Sequence, residues 1–231
     1  KKLKFGIILK QSRKNGIFYF LETYIFLPIY KNHIFIYYCI LKCFFCINMQ
    51  FGVNMCARTS FNVNILDSTL RDGSQGEGIS FSVQDKLHIV QALDELGVKY
   101  IEAGNPGSNP KDLEFFEEAK KLKLQNSQIV AFSATRRQGI TCEEDSNLQS
   151  LLYAGTQTVV IFGKSWDFQV TDILKATLEE NLAMIKETVE YLVANNRKVI
   201  YDAEHFFDAW FANPDYTMKS LKAAVEGGAS V

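Results

Sequence analysis

The sequence predicts an α/β protein, a partial (β/α)8 TIM barrel with about the first five βα units and the start of the sixth strand. Apolar strand-like runs alternate with helical patterns about every 30 to 40 residues, which implies parallel strands joined by crossovers. No Gly-x-Gly-x-x-Gly motif follows the first strand, which disfavours an open dinucleotide-binding sheet. Polar residues instead recur where successive strands end, as they do in barrels. The strand-like runs lie near residues 63–66, 99–103, 128–132, 157–162 and 198–202.

Composition and charge are those of an ordinary globular α/β protein. The chain has 231 residues, a formal net charge of −1, 47% hydrophobic residues and 22% charged residues. Because this charge is close to neutral, there is no electrostatic reason to expect a nucleic-acid partner. The five cysteines are odd in number, and only Cys142 lies in the regular region, so no disulfide framework follows. We therefore expect a protein of the reducing cytoplasm.

Composition changes near residue 50, and three interpretations compete for residues 1–48. This stretch has no Ala, Asp or Val and is rich in residue types that AT-rich codons specify. A membrane anchor needs about 20 apolar residues, but the best window, 34–47, is shorter and contains Lys42. A signal peptide would suit the basic start, yet no small-residue cleavage site follows. We favour an unstructured leader translated from upstream non-coding sequence, with the true start at Met49 or Met55. Residues 49–231 are then the truncated N-terminal part of a barrel catalytic domain.

Helix-start signals separate the strand-like runs. Ser82 and Asp85 have the spacing of a capping box, and they precede an apolar stripe that ends at Gly97. Two more pairs have the capping-box spacing, Thr141 with Glu144 and Thr177 with Glu180. Two Asn-Pro pairs, Asn109-Pro110 and Asn213-Pro214, each place an N-cap residue before a proline at the first helical position.

The most informative motif, Leu66 to Gly73, has the pattern of a buried strand that runs into an Arg-Asp-Gly turn. Arg71 and Asp72 place opposite charges side by side at the end of this strand. A carboxylate and a guanidinium at this position suit a divalent metal and an anionic substrate. On the next strand, Glu102 lies within an apolar run, where a lone carboxylate is costly unless it is paired. We therefore expect Glu102 to pair with Arg71 across the barrel mouth.

Polar residues of the fifth strand form a second candidate group. Asp202 and Glu204 are two residues apart on one strand, so their side chains share a face, while His205 points away from them. The pattern favours a packed or hydrogen-bonded role for His205 over a role as metal ligand.

Three stretches of this sequence resemble one family of metal-dependent barrels. LDSTLRDGSQGEG, YIEAGNPGSNP and YDAEHFFD are similar to the family that includes isopropylmalate synthase, homocitrate synthase, citramalate synthase and hydroxymethylglutaryl-CoA lyase. The resemblance runs from about residue 62 to the end of the sequence. The phrases GEGISFS and FGKSWDF resemble the citramalate synthase branch most.

The resemblance implies a metal-binding and a substrate-binding residue in the first motif. Asp72 matches the family's metal-binding aspartate, for Zn²⁺, Mg²⁺ or Mn²⁺. Arg71 matches the arginine that binds and polarises the substrate, where it would stabilise an enolate or alkoxide oxygen. The family's His-x-His pair and a later Asn ligand would lie beyond Val231, so we expect only half of the metal site in this chain.

The resemblance also implies roles for four other positions. Glu102 and Glu204 match active-site glutamates of the family. Asp202 stands where relatives often have serine, and both Asp202 and Glu204 are candidates to orient the metal-bound water or the 2-oxo acid. Gln75, in the first loop, is a candidate to hydrogen-bond the substrate, with a solvated loop residue as the alternative.

Two features of the sequence allow more than one interpretation. Arg136 and Arg137 follow the third strand, where they either meet an acyl-CoA phosphate or face solvent. Cys39, Cys43 and Cys46 have a spacing that resembles the iron–sulfur motif of radical adenosylmethionine enzymes. Because these cysteines precede the first strand and lie in the suspect leader, we favour a chance similarity.

The activity implied by the resemblance is that of an acyltransferase. It would condense acetyl-CoA with pyruvate to give (R)-citramalate for isoleucine biosynthesis, in a metal-dependent Claisen reaction. The alternatives are a 2-isopropylmalate or homocitrate synthase that uses a larger 2-oxo acid, a lyase that catalyses the reverse cleavage, and an inactive fragment of such an enzyme. The full-length parent is expected to be a homodimer that binds small molecules, with neither nucleic acid nor membrane as partner.

Overall fold

The computed structural model describes residues 63–231, together with the backbone of four short strands near the amino terminus. These strands are Lys2–Leu3, Phe5–Leu9, Phe20–Leu21 and Leu27–Pro28. Phe5–Leu9 runs antiparallel beside Val63–Asp67. The other residues before 63 lie outside the described residues. Three predictions concern these residues: the 1–48 leader, the start at Met49 or Met55, and the three spaced cysteines. They lie wholly or partly outside the described residues and stay predictions.

Five parallel strands form a curled half-barrel, which confirms the predicted fold class. Their spatial order is their order in the chain, and each pairs in parallel with the next. Ser230 donates its amide to Val199 O, and Val231 O accepts from Tyr201, as expected at the start of a sixth strand. The strands are β1 (Val63–Asp67), β2 (Tyr100–Gly104), β3 (Gln128–Ala134), β4 (Thr158–Lys164) and β5 (Lys198–Glu204).

Helices connect the strands, and most of them begin where the sequence predicts. The Ser82 side chain and Asp85 form a complete capping box. Asn109, Thr177 and Asn213 each accept a hydrogen bond from the amide three residues further on. The helices are α1 (Val83–Leu96), α2 (Pro110–Ala119), α3 (Ser146–Ala154), α4 (Leu178–Ala194), α5 (Phe206–Ala212) and α6 (Pro214–Gly227), with a 3₁₀ turn at Gly73–Gln75 and a π-helix at Gln169–Leu174.

One predicted helix start is wrong. The amide and the hydroxyl of Thr141 do bond to Glu144 Oε2, at 3.1 and 3.2 Å, but they close a turn that precedes the helix. The helix α3 begins at Ser146, because the Asp145 side chain accepts from the amides of Asn147 and Leu148. The aspartate is the better cap because it satisfies two of the amides that a helix start leaves without partners.

Side chains alternate along the strands and so separate two apolar layers. One layer faces the helices and includes Ile101, Ala131, Val159 and Val199. The other lies inside the barrel and consists of Tyr100, Val130, Val160 and Ile200. The next inward-facing positions, two residues further along each strand, are Glu102, Phe132, Phe162 and Asp202. The inner apolar layer therefore lies directly below the residues that line the barrel mouth.

Candidate active site at the barrel mouth

A tight turn after β1 sets the direction of Arg71. Asp67, the last residue of β1, is buried, and its carboxylate accepts hydrogen bonds from the amide and the hydroxyl of Thr69, at 3.0 and 2.9 Å. Burial raises the pKa of Asp67, and the bonds from Thr69 offset part of that rise. The amides of Arg71 and Gly73 both donate to Ser68 O, at 3.2 and 3.0 Å. These bonds fix the chain where it leaves the strand.

Arg71 and Glu102 form the predicted ion pair. The Nε and Nη2 atoms of Arg71 lie 3.0 and 2.9 Å from Glu102 Oε2, and Glu102 is 1% exposed. Burial is the main cause that raises the pKa of Glu102 to about 7; the Arg71 guanidinium lowers it, and the nearby Asp202 and Asp72 add to the rise. The pair therefore joins a fixed cation to a carboxyl that titrates near neutral pH.

Asp72 supplies a hard oxygen donor at the rim of the mouth. Its Oδ1 atom lies 3.7 Å from Arg71 Nη1, and its side chain is 28% exposed. Among the residues that the structure describes, no group of three or more His, Cys, Asp or Glu side chains is arranged to hold a metal ion. Asp72 thus suits one ligand position for a divalent cation, while the described residues do not complete a ligand set.

Two stacked phenylalanines lie between two cations at the mouth. The guanidinium carbon of Arg71 lies 4.0 Å from the ring centroid of Phe132, and Phe132 stacks on Phe162 at 5.1 Å with an 11° interplanar angle. On the other side, Lys164 Nζ lies 5.4 Å from the Phe162 centroid and pairs with Glu204. Sequence reasoning missed both rings as site residues. The signal that could have found them is their position, two residues after the inner-layer residue of each strand.

The remaining predicted site residues lie around this group. Asp202 and Glu204 are half-buried on the inward face at the end of β5, as their spacing predicts. His205 is exposed, with its Nδ1 atom 3.3 Å from Asp208 Oδ2, in agreement with the hydrogen-bonded role. Gln75 is exposed at the end of the 3₁₀ turn, on the loop that carries Arg71. Its contact with substrate stays a prediction.

Arg136 departs from both alternatives proposed for it. The side chain is buried between β3 and α4, where its Nε atom lies 2.7 Å from Glu187 Oε2 and its Nη1 atom lies 2.9 Å from Glu180 Oε1. Arg137 lies 3.2 Å from Asp145 Oδ2, with more than half of its side chain exposed. Because Arg136 already has two carboxylate partners, it is a structural cation and does not await an acyl-CoA phosphate.

The sequence matches a family model and several curated relatives. The family model described as HMGL-like matches residues 62–231. The chain is 55% identical over 167 residues to an (R)-citramalate synthase of Aquifex aeolicus, covering 72% of this chain and 32% of that protein. It is 32% identical over 170 residues to a 2-isopropylmalate synthase of Sulfolobus acidocaldarius, covering 74% of this chain and 41% of that protein. The chain therefore spans about a third of the length of the citramalate synthase that it matches.

A solved structure supports the fold independently. The crystal structure of the Bacillus subtilis HMG-CoA lyase superimposes with a TM-score of 0.54 at 18% identity, covering 71% of this chain and 54% of that one. At that identity the likeness shows the barrel fold alone. The described residues include no helix with the length and apolar character needed to cross a bilayer.

Proposed function

This chain belongs to the HMGL-like family, and from that premise we propose that the whole protein is an (R)-citramalate synthase that condenses acetyl-CoA with pyruvate. The identity of 55% to a citramalate synthase, against 32% to a 2-isopropylmalate synthase, favours pyruvate over a larger 2-oxo acid. The structural observation that carries the proposal is the Arg71–Glu102 pair beside Asp72, because it fixes a guanidinium at the open end of the barrel.

In this proposal Arg71 binds the 2-oxo acid and stabilises its carbonyl oxygen as negative charge develops there during attack by the acetyl-CoA enolate. Preorganised donors of this kind act without reorganisation at the moment of reaction. Glu102 orients the guanidinium through two short contacts, and Phe132 packs against its carbon. With a pKa raised to about 7 by burial, Glu102 can hold or release a proton beside Arg71 at neutral pH.

Three further residues complete the proposed set. Glu204 is the second catalytic carboxylate; it faces the mouth from β5 and pairs with Lys164. Asp202 lies on the same inward face and orients the 2-oxo acid. Gln75 contributes a hydrogen bond from the exposed loop, where an amide can reach an incoming substrate. The position of each residue supports its proposed role.

A divalent metal, Zn²⁺, Mg²⁺ or Mn²⁺, is part of the proposal through Asp72. The fit rests on one carboxylate oxygen that is partly exposed and lies at the same rim as Arg71. When bound, such a metal polarises the carbonyl of the 2-oxo acid. The other ligands would come from residues outside those described. For the whole protein, the cytoplasm and a homodimer remain predictions, as does a role in isoleucine biosynthesis.

The test supplies the full-length protein with acetyl-CoA and with either pyruvate or 3-methyl-2-oxobutanoate, and it follows the release of free CoA thiol. We expect faster release with pyruvate, and citramalate as the product. A preference for 3-methyl-2-oxobutanoate would instead assign a 2-isopropylmalate synthase. Cleavage of hydroxymethylglutaryl-CoA, with no thiol release from either 2-oxo acid, would assign a lyase.

Residues 49–231 alone are expected to be inactive in the same assay. The reason is that the described residues do not complete a ligand set around Asp72. Measurable thiol release from this piece would show that the ligands thought to be missing are not needed.

A further inference from the structure

The strand that carries Glu102 contains a β-bulge directly after this residue. Pairing between β2 and β3 passes from Glu102 with Val130 to Gly104 with Ala131, so Ala103 is an extra residue on β2. A bulge bends its strand and leaves backbone groups of the extra residue without ladder partners. Since this bulge is buried, those groups need other partners.

A buried ion pair between α1 and α2 supplies a partner for the carbonyl of Ala103. Lys86 Nζ lies 2.6 Å from Asp112 Oδ1, and the two residues are 4% and 8% exposed. Lys86 Nζ also donates to Ala103 O at 3.0 Å, and Asp112 Oδ2 accepts from the amide of Asn105 at 3.0 Å. The pair therefore binds the bulged residue, Ala103, and the backbone two residues further on, at Asn105.

Gly104, the residue between Ala103 and Asn105, has no space for a side chain. Gly104 has a φ of +147°, and a Cβ atom added there would lie 2.5 Å from Asp112 Oδ2. The carboxylate of Asp112 thus fills the space where a side chain would stand. The bulged backbone and the ion pair are therefore packed directly against each other at Gly104.

We propose that Lys86 and Asp112 are positioning residues for Glu102, because their ion pair holds the bulge in the shape that directs Glu102 to Arg71. The proposal rests on the proposed function only in treating Glu102 as catalytic. A pair that served stability alone would gain little from burial, since the desolvation of two charges offsets most of their attraction. Neither residue faces the mouth itself, so both act through the strand.

The test compares Asp112→Asn with Asp94→Asn in the full-length protein. Asp94 is a matched control because it is also 8% exposed and also accepts backbone amides, those of Gln125, Asn126 and Ser127 at the opposite end of the sheet. One readout is the pKa of Glu102, from the carbon-13 NMR titration of its carboxyl, assigned with Glu102→Gln. The other readout is kcat against KM for the 2-oxo acid.

We expect Asp112→Asn to move the pKa of Glu102 from about 7 by about one unit or more, because its alignment with Arg71 changes. The value of kcat should fall about tenfold or more, while KM changes less than about threefold. Asp94→Asn should leave both readouts unchanged, although it also removes the charge of a buried carboxylate that accepts backbone amides. An unchanged Glu102 titration and an unchanged kcat in folded Asp112→Asn would overturn the proposal.

A second variant covers the case in which Asp112→Asn does not fold. In Lys86→Gln the neutral amide can still donate to Ala103 O, and we expect a shift of the Glu102 pKa with a fall in kcat of about threefold or more. A folded Lys86→Gln protein with neither change would overturn the proposal. If the unaltered protein accepts none of the 2-oxo acids as a partner for acetyl-CoA, the proposed function fails. The NMR titration of Glu102 still decides the positioning role in that case.

Discussion

Two arginines at the same end of the sheet have different surroundings. Arg71 follows β1 and turns into the barrel mouth, where its carboxylate partner, Glu102, is 1% exposed. Arg136 follows β3 and turns outward, where its partners Glu180 and Glu187 lie on α4. Both cations are paired, so pairing alone does not separate a site from a structural contact.

The difference lies in the element that supplies the carboxylate. Glu102 is on the inward face of β2, so its pairing with Arg71 keeps the charge at the mouth. The partners of Arg136 are helix residues, with side chains 31% and 52% exposed, so that pairing ties the helix layer to the sheet. The element that carries the carboxylate partner thus decides whether an arginine at a strand end faces the barrel mouth or the helix layer.

Replacement of Arg71 should have the largest effect. Arg71→Ala removes the guanidinium that, in the proposed function, meets the developing negative charge, and we expect kcat/KM of the full-length protein to fall on the order of 10²- to 10³-fold. Thiol release with acetyl-CoA and pyruvate measures it. A fall of less than about tenfold would contradict the proposed role of Arg71.

The pH dependence of stability should reveal Glu102. Its pKa is raised from 4.5 to about 7, so between these values the folded protein binds a proton that the unfolded chain has released. The free energy of unfolding should therefore decrease as pH rises from about 4.5 to about 7, by about 3 kcal/mol at most. Glu102→Gln removes this dependence. Urea unfolding of both proteins across this range measures the difference, and parallel curves would show that Glu102 is not the group responsible.

Replacement of Arg136 should have the opposite effect to that expected for Arg71, with stability lost and activity kept. Arg136→Met leaves Glu180 and Glu187 without their shared cation, and we expect about 2 kcal/mol less free energy of unfolding, since both carboxylates are partly solvated. The value of kcat/KM should stay within about threefold of the unaltered protein. A large loss of activity without a loss of stability would bring Arg136 back as a candidate for binding substrate.

Gln75 should give the smallest effect. A hydrogen bond from an exposed loop residue is worth about 1 kcal/mol, so Gln75→Ala should raise KM for the 2-oxo acid roughly fivefold and leave kcat unchanged. Initial rates over a range of pyruvate concentrations measure this. An unchanged KM would identify Gln75 as a solvated loop residue.

Much of the fold could be predicted because its signals are local. Apolar runs give the five strands, and the side chains of Ser82, Asn109 and Thr177 mark helix starts. The helix α5 and the π-helix at Gln169–Leu174 could not be predicted in this way. His205 precedes α5 in the left-handed conformation without a side-chain cap bond, so the sequence carries no start signal there.

The site could be predicted only in part. The Arg71–Glu102 pair follows from a physical requirement, since a buried carboxylate needs a cation and one stands at the end of the preceding strand. The partners of Arg136 could not be inferred, because they come from a helix 44 and 51 residues away in the chain. The stack of Phe132 on Phe162 depends on the register between β3 and β4, which the sequence alone does not reveal.

Two glycines with positive φ are under different steric constraints. At Gly78, with a φ of +74°, a Cβ atom would meet nothing within 4 Å, so a saturation library should recover asparagine there as well as glycine. At Gly104 the Asp112 carboxylate already occupies the space, and the same library should return glycine alone. Position 104 therefore stays closed to other residues while an aspartate stands at position 112, and its φ of +147° disfavours a side chain there whichever residue replaces Asp112.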